Sequence, residues 1–498
     1  MTFHFCLRAR SPALPPGPPA YPLIGNLLSF PMKHPWIHLA TFAGHRDLVF
    51  FHGLGNNILI LNSLDSMLDL LVRRGSVYSA RPFFVVACEL MDLIKCTAFL
   101  PFGHRWKLHR KLSRIALNPQ SVRQYEDILS DIANRLTESL CDDPDAFAEH
   151  VRLAAGRVLL STMYGIDAQS ADDPYLKMAK TAMDMVRQAV IPVAFLVDLI
   201  PALKYILKWV PSMTFKHVGN EGRIAIADCV QKPFDHVKRG IESGLARPSF
   251  TRAALTEDQF SLEREKDKFF ETELKWAAAT MFAGLSFPRI FEKSEHSFIP
   301  TAGQELISAT IMKLILAMAT NPDKLKLAQD ELKVVVGPRL PIVKDRDNLP
   351  YVDAIIKETL RWHVSLPMSL VRSSIQDDIY QDYLIPKGTT IVPNVWVIAQ
   401  EMNGKHDPDE FIPERFLGDQ PAINPSNYVF GFGKRMCPGK LLAEDAIFLL
   451  AATLLMRFTI TPKLDDNGKE IPIDVEYSSG LLSLPSEFQC TIKPYAEA

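Results

Sequence analysis

The chain has 498 residues, 47% hydrophobic and 22% charged, with 24 Gly and 36 Pro, a globular composition that excludes a disordered or fibrous protein. Its 55 Lys+Arg against 57 Asp+Glu leave a formal charge of −2, so bulk charge draws it neither to nucleic acid nor to anionic lipid, and partners must be recognised locally. Seven cysteines without a CxxC pair or repeated spacing fit a reducing compartment better than a disulfide framework.

In chain order, Met1 to Arg10 is too short for a spanning helix, which needs about 20 apolar residues, and lacks a signal-peptide core. Leu14 to Pro19 (LPPGPP) is a stiff polyproline stretch read as a hinge, so residues 1–20 precede one large folded unit over 21–498. Asp47 to Leu61 predicts two strands around Gly53 and Gly55, and Ser63 to Arg74 a helix. From Gly103 to about Arg247 the pattern is overwhelmingly helical. Within it, Val190 to Val210 is the most apolar segment. Asp198, two prolines, Lys204 and Lys208 argue against a membrane span there, leaving ordinary core or a surface segment dipping into lipid. Asn321-Pro322 caps a helix through Val336, Leu349 to His363 forms another, and strand-like runs fill Leu366 to Val397. The last helix, after Cys437, is apolar on nearly every face through Met456 and is predicted to be buried. The expected fold is mainly α with small β-sheets at its edges (α+β), without internal repeats.

The most specific string is Phe430 to Gly439, FGFGKRMCPG. A cysteine flanked by glycines just before a buried helix can be held as thiolate, because freed backbone N–H groups and the positive helix end favour negative sulfur; thiolate is the form that binds iron. Gly433 and Gly439 permit positive φ and close backbone approach to a flat ligand, and Arg435 could pair an anionic group on it. Cys437 alone would more often be a buried free cysteine. Glu358-Thr-Leu-Arg361 sets carboxylate and guanidinium on one helix face, with a second arginine in Pro413-Glu414-Arg415-Phe416; alone, a surface ion pair explains most such strings.

In order and spacing, Glu358, Arg361, Arg415 and Cys437 resemble the cytochrome P450 family, over nearly the whole chain, and the FxxGxRxCxG string is complete. The resemblance implies that Cys437 is the axial thiolate ligand of heme b iron, where its electron donation favours O–O cleavage. Phe430 would pack beside the sulfur. Trp106 and Arg110 match the family's WxxxR helix, whose side chains reach a haem propionate, and Arg372 falls where the family has a second propionate ligand, with Val371 replacing the usual histidine. Glu358, Arg361 and Arg415 would form a structural charge network behind the haem.

The chain also departs from the family. Relatives carry [AG]-G-x-[DE]-T over the distal haem face, an acid and a threonine that serve proton delivery; this chain reads Ala302-Gly303-Gln304-Glu305-Leu306. Glu305 fits the acid position and is the candidate catalytic residue, but Leu306 can neither donate nor accept a hydrogen bond. Ser308 and Thr310 are expected to face elsewhere. Trp276 to Gly284 (WAAATMFAG) resembles the start of the distal helix and Gly303 to Thr320 its continuation, yet 18 residues, Leu285 to Ala302, separate them. Pro288 and Pro300 in that stretch would each cost about 3 kcal/mol inside a helix, so it reads as a retained intron, a gene-model error or a surface loop. Ahead of the hinge the chain is too short for the anchor helix of microsomal members, which implies a truncated first exon or a soluble form. Val190 to Val210, aligned with a membrane-dipping loop, would then give weak peripheral attachment.

The expected function is a haem-thiolate monooxygenase inserting one oxygen atom from dioxygen into a small apolar substrate. WAAATMFAG and PNVW resemble fungal members that tailor secondary metabolites or attack xenobiotics. NADPH-cytochrome P450 reductase, and cytochrome b5 as a further donor, are the implied partners. Lys107, His109, Arg110, Lys111 and Arg114, with Lys434, are expected to concentrate positive charge for an acidic reductase face. The implied location is the cytoplasmic face of the endoplasmic reticulum, or the cytosol if no anchor precedes the hinge. The alternatives are an isomerase, dehydratase or peroxygenase that needs no dioxygen, and an inactive haem-binding relic. Substrate choice depends on loops such as Arg81 to Val86 and Leu481-Leu482.

Overall fold

Positive φ at Leu54 and Gly55 folds strand β1 (Leu48–Gly53) back on β2 (Asn56–Leu61). The computed structural model describes residues 12–495 except 23, 32, 44–46, 191–194, 206–213, 284–301, 402–405 and 480–481. The chain clusters into two compact units.

The first unit comprises residues up to Pro82, Met368–Ile398 and Phe432–Arg435. To the β1–β2 hairpin it adds β3 (Arg372–Ser373), a separate hairpin of β4 (Asp378–Tyr380) and β5 (Tyr383–Ile385), and β6 (Thr390–Pro393). The larger sheet runs β1-β2-β6-β3, parallel only between β2 and β6. Trp36, Leu39, Val49, Phe51, Ile60 and Val392 form its core. The polyproline stretch is docked along β1: Phe50 N–H donates to the Pro16 carbonyl at 2.8 Å. A Cβ on Gly17 would lie 1.9 Å from the Phe50 oxygen, so only glycine allows this approach. Ser63 caps the helix Leu64–Leu68 by accepting from Ser66 N–H, and the helix continues as a wider turn over Asp69–Arg73. The strand expectation for Leu366 to Val397 stops short, because Val395–Glu401 is helical.

The second unit comprises Phe83–Pro367, Ala399–Gly431 and Met436 onward. Its principal helices are α1 (His104–Ala116), α2 (Glu126–Asp142), α3 (Phe147–Tyr164), α4 (Pro174–Ala189), α5 (Thr214–Glu242), α6 (Phe270–Ala283), α7 (Ala302–Thr320), α8 (Pro322–Val335), α9 (Pro350–Trp362) and α10 (Lys440–Arg457), followed by the hairpin of β7 (Phe458–Pro462) and β8 (Cys490–Pro494). In α10 every residue from Ala446 to Met456 is buried, as its all-round apolarity predicts, and it packs against α2, α7, α8 and α9. Each such leucine contributes roughly 1.5 to 3 kcal/mol on leaving water. α7 is central as well, touching α3, α9, α10 and β7.

Asn321 does not cap α8 with its side chain, contrary to expectation; its amide turns back to the Ala317 carbonyl at 2.9 Å, and Pro322 alone marks the first turn. Of Val190 to Val210, residues 191–194 and 206–210 lie outside the described residues. The part between is a short helix, Leu196–Leu199, and a 3-10 turn, Pro201–Tyr205, with Leu196, Ile200 and Tyr205 exposed. Leu285 to Thr301, most of the suspected insertion, lies outside them too. No helix among the described residues is long and apolar enough to cross a membrane.

Candidate active site

The turn ahead of α10 is closed by its own backbone. Cys437 N–H donates to the Phe430 carbonyl at 2.9 Å, and positive φ at Gly431 reverses the chain between them. Phe430 is half-buried, with the Lys440 ammonium 5.7 Å from its ring centre. One expectation for the glycines is corrected. Gly439 has φ −87°, which any residue adopts, and its contribution is an N–H donated to the Cys437 sulfur. Gly433 does have positive φ, as expected, and a Cβ there would come 2.5 Å from the Leu71 carbonyl oxygen.

Cys437 keeps accessible surface yet is set deep in the body of its unit. Burial lifts its thiol above the ordinary value, outweighing the Gly439 N–H, Arg110 and Lys440, which pull it down. Among the described residues no group of three or more His, Cys, Asp or Glu could hold a metal ion.

On α1, Trp106 is buried and the Arg110 guanidinium lies 5.9 Å from its ring centre. Arg110 donates to the Met436 carbonyl at 2.7 Å, and burial pushes its pKa down. In the first unit Arg372 is 3% exposed and donates to the carbonyls of Leu71 and Phe432. Burial, then repulsion from Arg81, pushes it down to about 9. Neither arginine meets a carboxylate among the described residues. Arg372, buried with only carbonyl partners, carries an uncompensated charge, the environment an anionic ligand group would complete. Arg435 donates Nε–H to the Ser79 carbonyl at 2.8 Å, and Val371 is a half-buried neighbour of the sheet core.

Glu358, Arg361 and Arg415 meet in the interior. Arg361 grips Glu358 in a two-point pair at 2.7 and 2.8 Å, and Arg415 Nε reaches the same carboxylate at 3.0 Å, all three residues being 4% exposed or less. Ile412 N–H also donates to Glu358. The second positive charge is spread over the carbonyls of Ala399, Asp407, Pro408, Glu410 and Ile412.

Glu305 falls within the span of α7, but its side chain lies outside the described residues. Leu306 is half-buried, and the Thr310 hydroxyl is turned back onto the Leu306 carbonyl at 2.7 Å. Ser308 is buried.

The positive face of α1 is narrower than expected. His109 is fully buried, its pKa lowered by burial, with its ring nitrogens on Glu273 (3.0 Å) and Thr97 (2.7 Å). Arg110 turns inward to Met436. Lys107, Lys111 and Arg114 remain on the surface, and Lys111 is already paired with Glu263. His109, two positions from both Lys107 and Lys111, falls on the opposite helix face, which spacing could have shown; Arg110 shares the face of the three. Sequence reasoning missed Glu273, the acid that accepts from both Arg105 and His109. It also missed Lys313, wholly buried in α7.

Comparison with known proteins adds the following. A family model described as Cytochrome P450 matches residues 15–285 and 293–492. The cytochrome P450 monooxygenase COX2 of Coprinopsis cinerea is 35% identical over 99% of this chain and 91% of its own length. The cytochrome P450 monooxygenase eriA of Hericium erinaceus is 36% identical over 97% and 89%, and the tryptamine 4-monooxygenase of Psilocybe cyanescens 32% identical over 98% and 94%.

Proposed function

The chain belongs to the cytochrome P450 family, and from that premise we propose that Cys437 is the residue whose thiolate would hold its haem iron. The enzyme is a monooxygenase that inserts one oxygen atom of dioxygen into an organic substrate. The observation that carries the assignment is the Cys437 turn, in which the Gly439 N–H and the Arg110 charge both favour negative sulfur. When bound, the haem supplies the dioxygen chemistry. The chain's own groups bind and orient it. Cys437 would supply the sulfur that holds the iron; Phe430, Gly433 and Gly439 frame the turn. Trp106 and Arg110, with Arg372 and Arg435, are assigned to the haem propionates. Glu358, Arg361 and Arg415 are structural, and Glu305 is the candidate for moving protons.

Family members take electrons from a reductase. We assign that contact to the Lys107, Lys111 and Arg114 stripe, with cytochrome b5 as a further donor. Fungal members are commonly associated with the endoplasmic reticulum, and Leu196, Ile200 and Tyr205 are the side chains offered to a lipid surface here. The substrate class is a small apolar molecule of fungal secondary metabolism. The family match lapses between 285 and 293, inside the stretch read as an insertion. Tryptic peptides of natural protein that begin at Ser294 and run through Glu295 and His296 would show that it is translated.

The test is Cys437→Ala, which should abolish the thiolate-type spectrum of the reduced carbon monoxide complex together with all monooxygenation. Retention of that spectrum would refute the assignment. Leu306 favours one second reading, a peroxide-driven enzyme. Product formed with peroxide alone, and none with reductase and dioxygen, would select it.

A further inference from the structure

Helices α4, α5 and α6 and the segment leading into α1 border a cavity of about 40 Å³, where a single water needs roughly 10 to 15 Å³. Met183 and Val186 of α4, Cys229 of α5 and Trp276 and Thr280 of α6 line it, and Cys96 borders it from the segment before α1. None of the residues assigned to the haem is in this lining. Its one hydroxyl is already engaged: Thr280 donates to the Trp276 carbonyl at 2.6 Å and accepts from the Thr97 N–H at 3.2 Å. A buried water needs about two to four polar partners, which alkyl groups and thiols do not supply, so the space favours an apolar occupant.

The wall of this cavity is held in place from behind. The Thr97 hydroxyl meets His109 Nδ1 at 2.7 Å, and His109 Nε2 meets the Glu273 carboxylate of α6 at 3.0 Å. Arg105 donates to the same carboxylate at 2.8 Å. Thr97 is thus tied to α1 by its side chain and to α6 by its backbone, and the sulfur of the adjoining Cys96 lies 3.2 Å from the Thr280 hydroxyl. A void in a packed core costs stability in proportion to its volume, and neighbours free to relax would shrink it.

We propose that this cavity is a binding site for a small apolar molecule, a single ring without hydrogen-bonding groups, and that Thr97 is the positioning residue that keeps its wall in place. The inference goes beyond the haem assignments and does not rest on them.

The probe is fluorobenzene, followed by ¹⁹F NMR on reduced, carbon monoxide-bound holoenzyme, in which the haem is diamagnetic. The unmodified chain should bind it with a Kd of about 1 mM or tighter. Ala182→Leu on α4 and Ala279→Leu on α6, both at lining positions, each carry a larger side chain into the space. They should weaken binding by about tenfold or more with the thermal midpoint level or raised. Thr97→Val, which removes the hydroxyl at equal size, should weaken it by about threefold or more, and Thr97→Ser should keep the unmodified value. Titrating haem absorbance with the same probe separates two sources of the ring. A response present in the unmodified chain and lost in the filled variants identifies the apolar body of the substrate itself; any other pattern identifies a second molecule, and both uphold the site. No binding to the unmodified chain, equal affinity in the filled variants, or a lowered midpoint in both overturns it, because there is then no space to fill. If one filled variant does not yield holoenzyme, the other decides. Equal affinity in Thr97→Val overturns the role of Thr97.

Discussion

Around Glu358, two guanidiniums share one carboxylate and a ring of backbone carbonyls. On α7 the Lys313 ammonium, equally buried, has one carbonyl and one hydroxyl. Both regions hold positive charge away from water, but only the first holds the compensating negative charge too. Matched burial makes a rigid element whose members cannot be removed singly. Unmatched burial leaves the group poised to lose its proton, and Lys313 is pushed down to about 7 by desolvation.

The strongest way to break the comparison is Glu358→Ala. It strands two buried guanidiniums, a destabilisation of roughly 3 to 5 kcal/mol, so haem-free and poorly soluble protein is expected. Stable protein with a normal haem-to-protein absorbance ratio would show that the network is dispensable. Gly433→Ala comes next: a Cβ 2.5 Å from the Leu71 oxygen, on backbone at φ +50°, should cost about 2 to 3 kcal/mol. Thermal loss of the thiolate spectrum at a markedly lower temperature is the readout, and an unshifted midpoint would count against the close approach.

A pH series sharpens the contrast. Folded, Lys313 titrates near 7 against an ordinary 10.5. Its burial penalty is therefore full below about pH 7 and relieved as pH rises toward 10.5, because there the unfolded chain binds the extra proton. Stability of the unmodified protein relative to Lys313→Met should rise with pH across that window, with His363 neutral throughout because burial has pushed it to about 3. A flat difference would mean that the ammonium is not desolvated. The smallest effect is expected for Leu306→Thr, which leaves fold and haem content unaltered. A hydroxyl there should raise the fraction of electrons recovered as product, by about twofold, since less peroxide escapes when protons arrive in order. Equal coupling in both forms would mean that protons arrive by another route.

Much of the fold and of the cysteine turn is legible in the residues alone, because those features are local. An i, i+3 pair shares a helix face whatever surrounds it, as Glu358 and Arg361 do, and a glycine-bounded cysteine before an apolar run implies a turn closing onto a buried helix. The β1–β2 hairpin announced itself through Gly53 and Gly55 for the same reason.

Tertiary structure decided what depends on neighbours from distant sequence. Arg415 reaches Glu358 across 57 residues, Glu273 draws His109 inward across 164, and Lys313 meets His363 across 50. Leu71, remote in sequence, is what crowds Gly433. Desolvation likewise sums over everything packed around a group, which is why burial outweighs the Gly439 N–H and the Arg110 charge at the Cys437 sulfur. Spacing sets geometry within an element, whereas charge state and partner are set by the packing between elements.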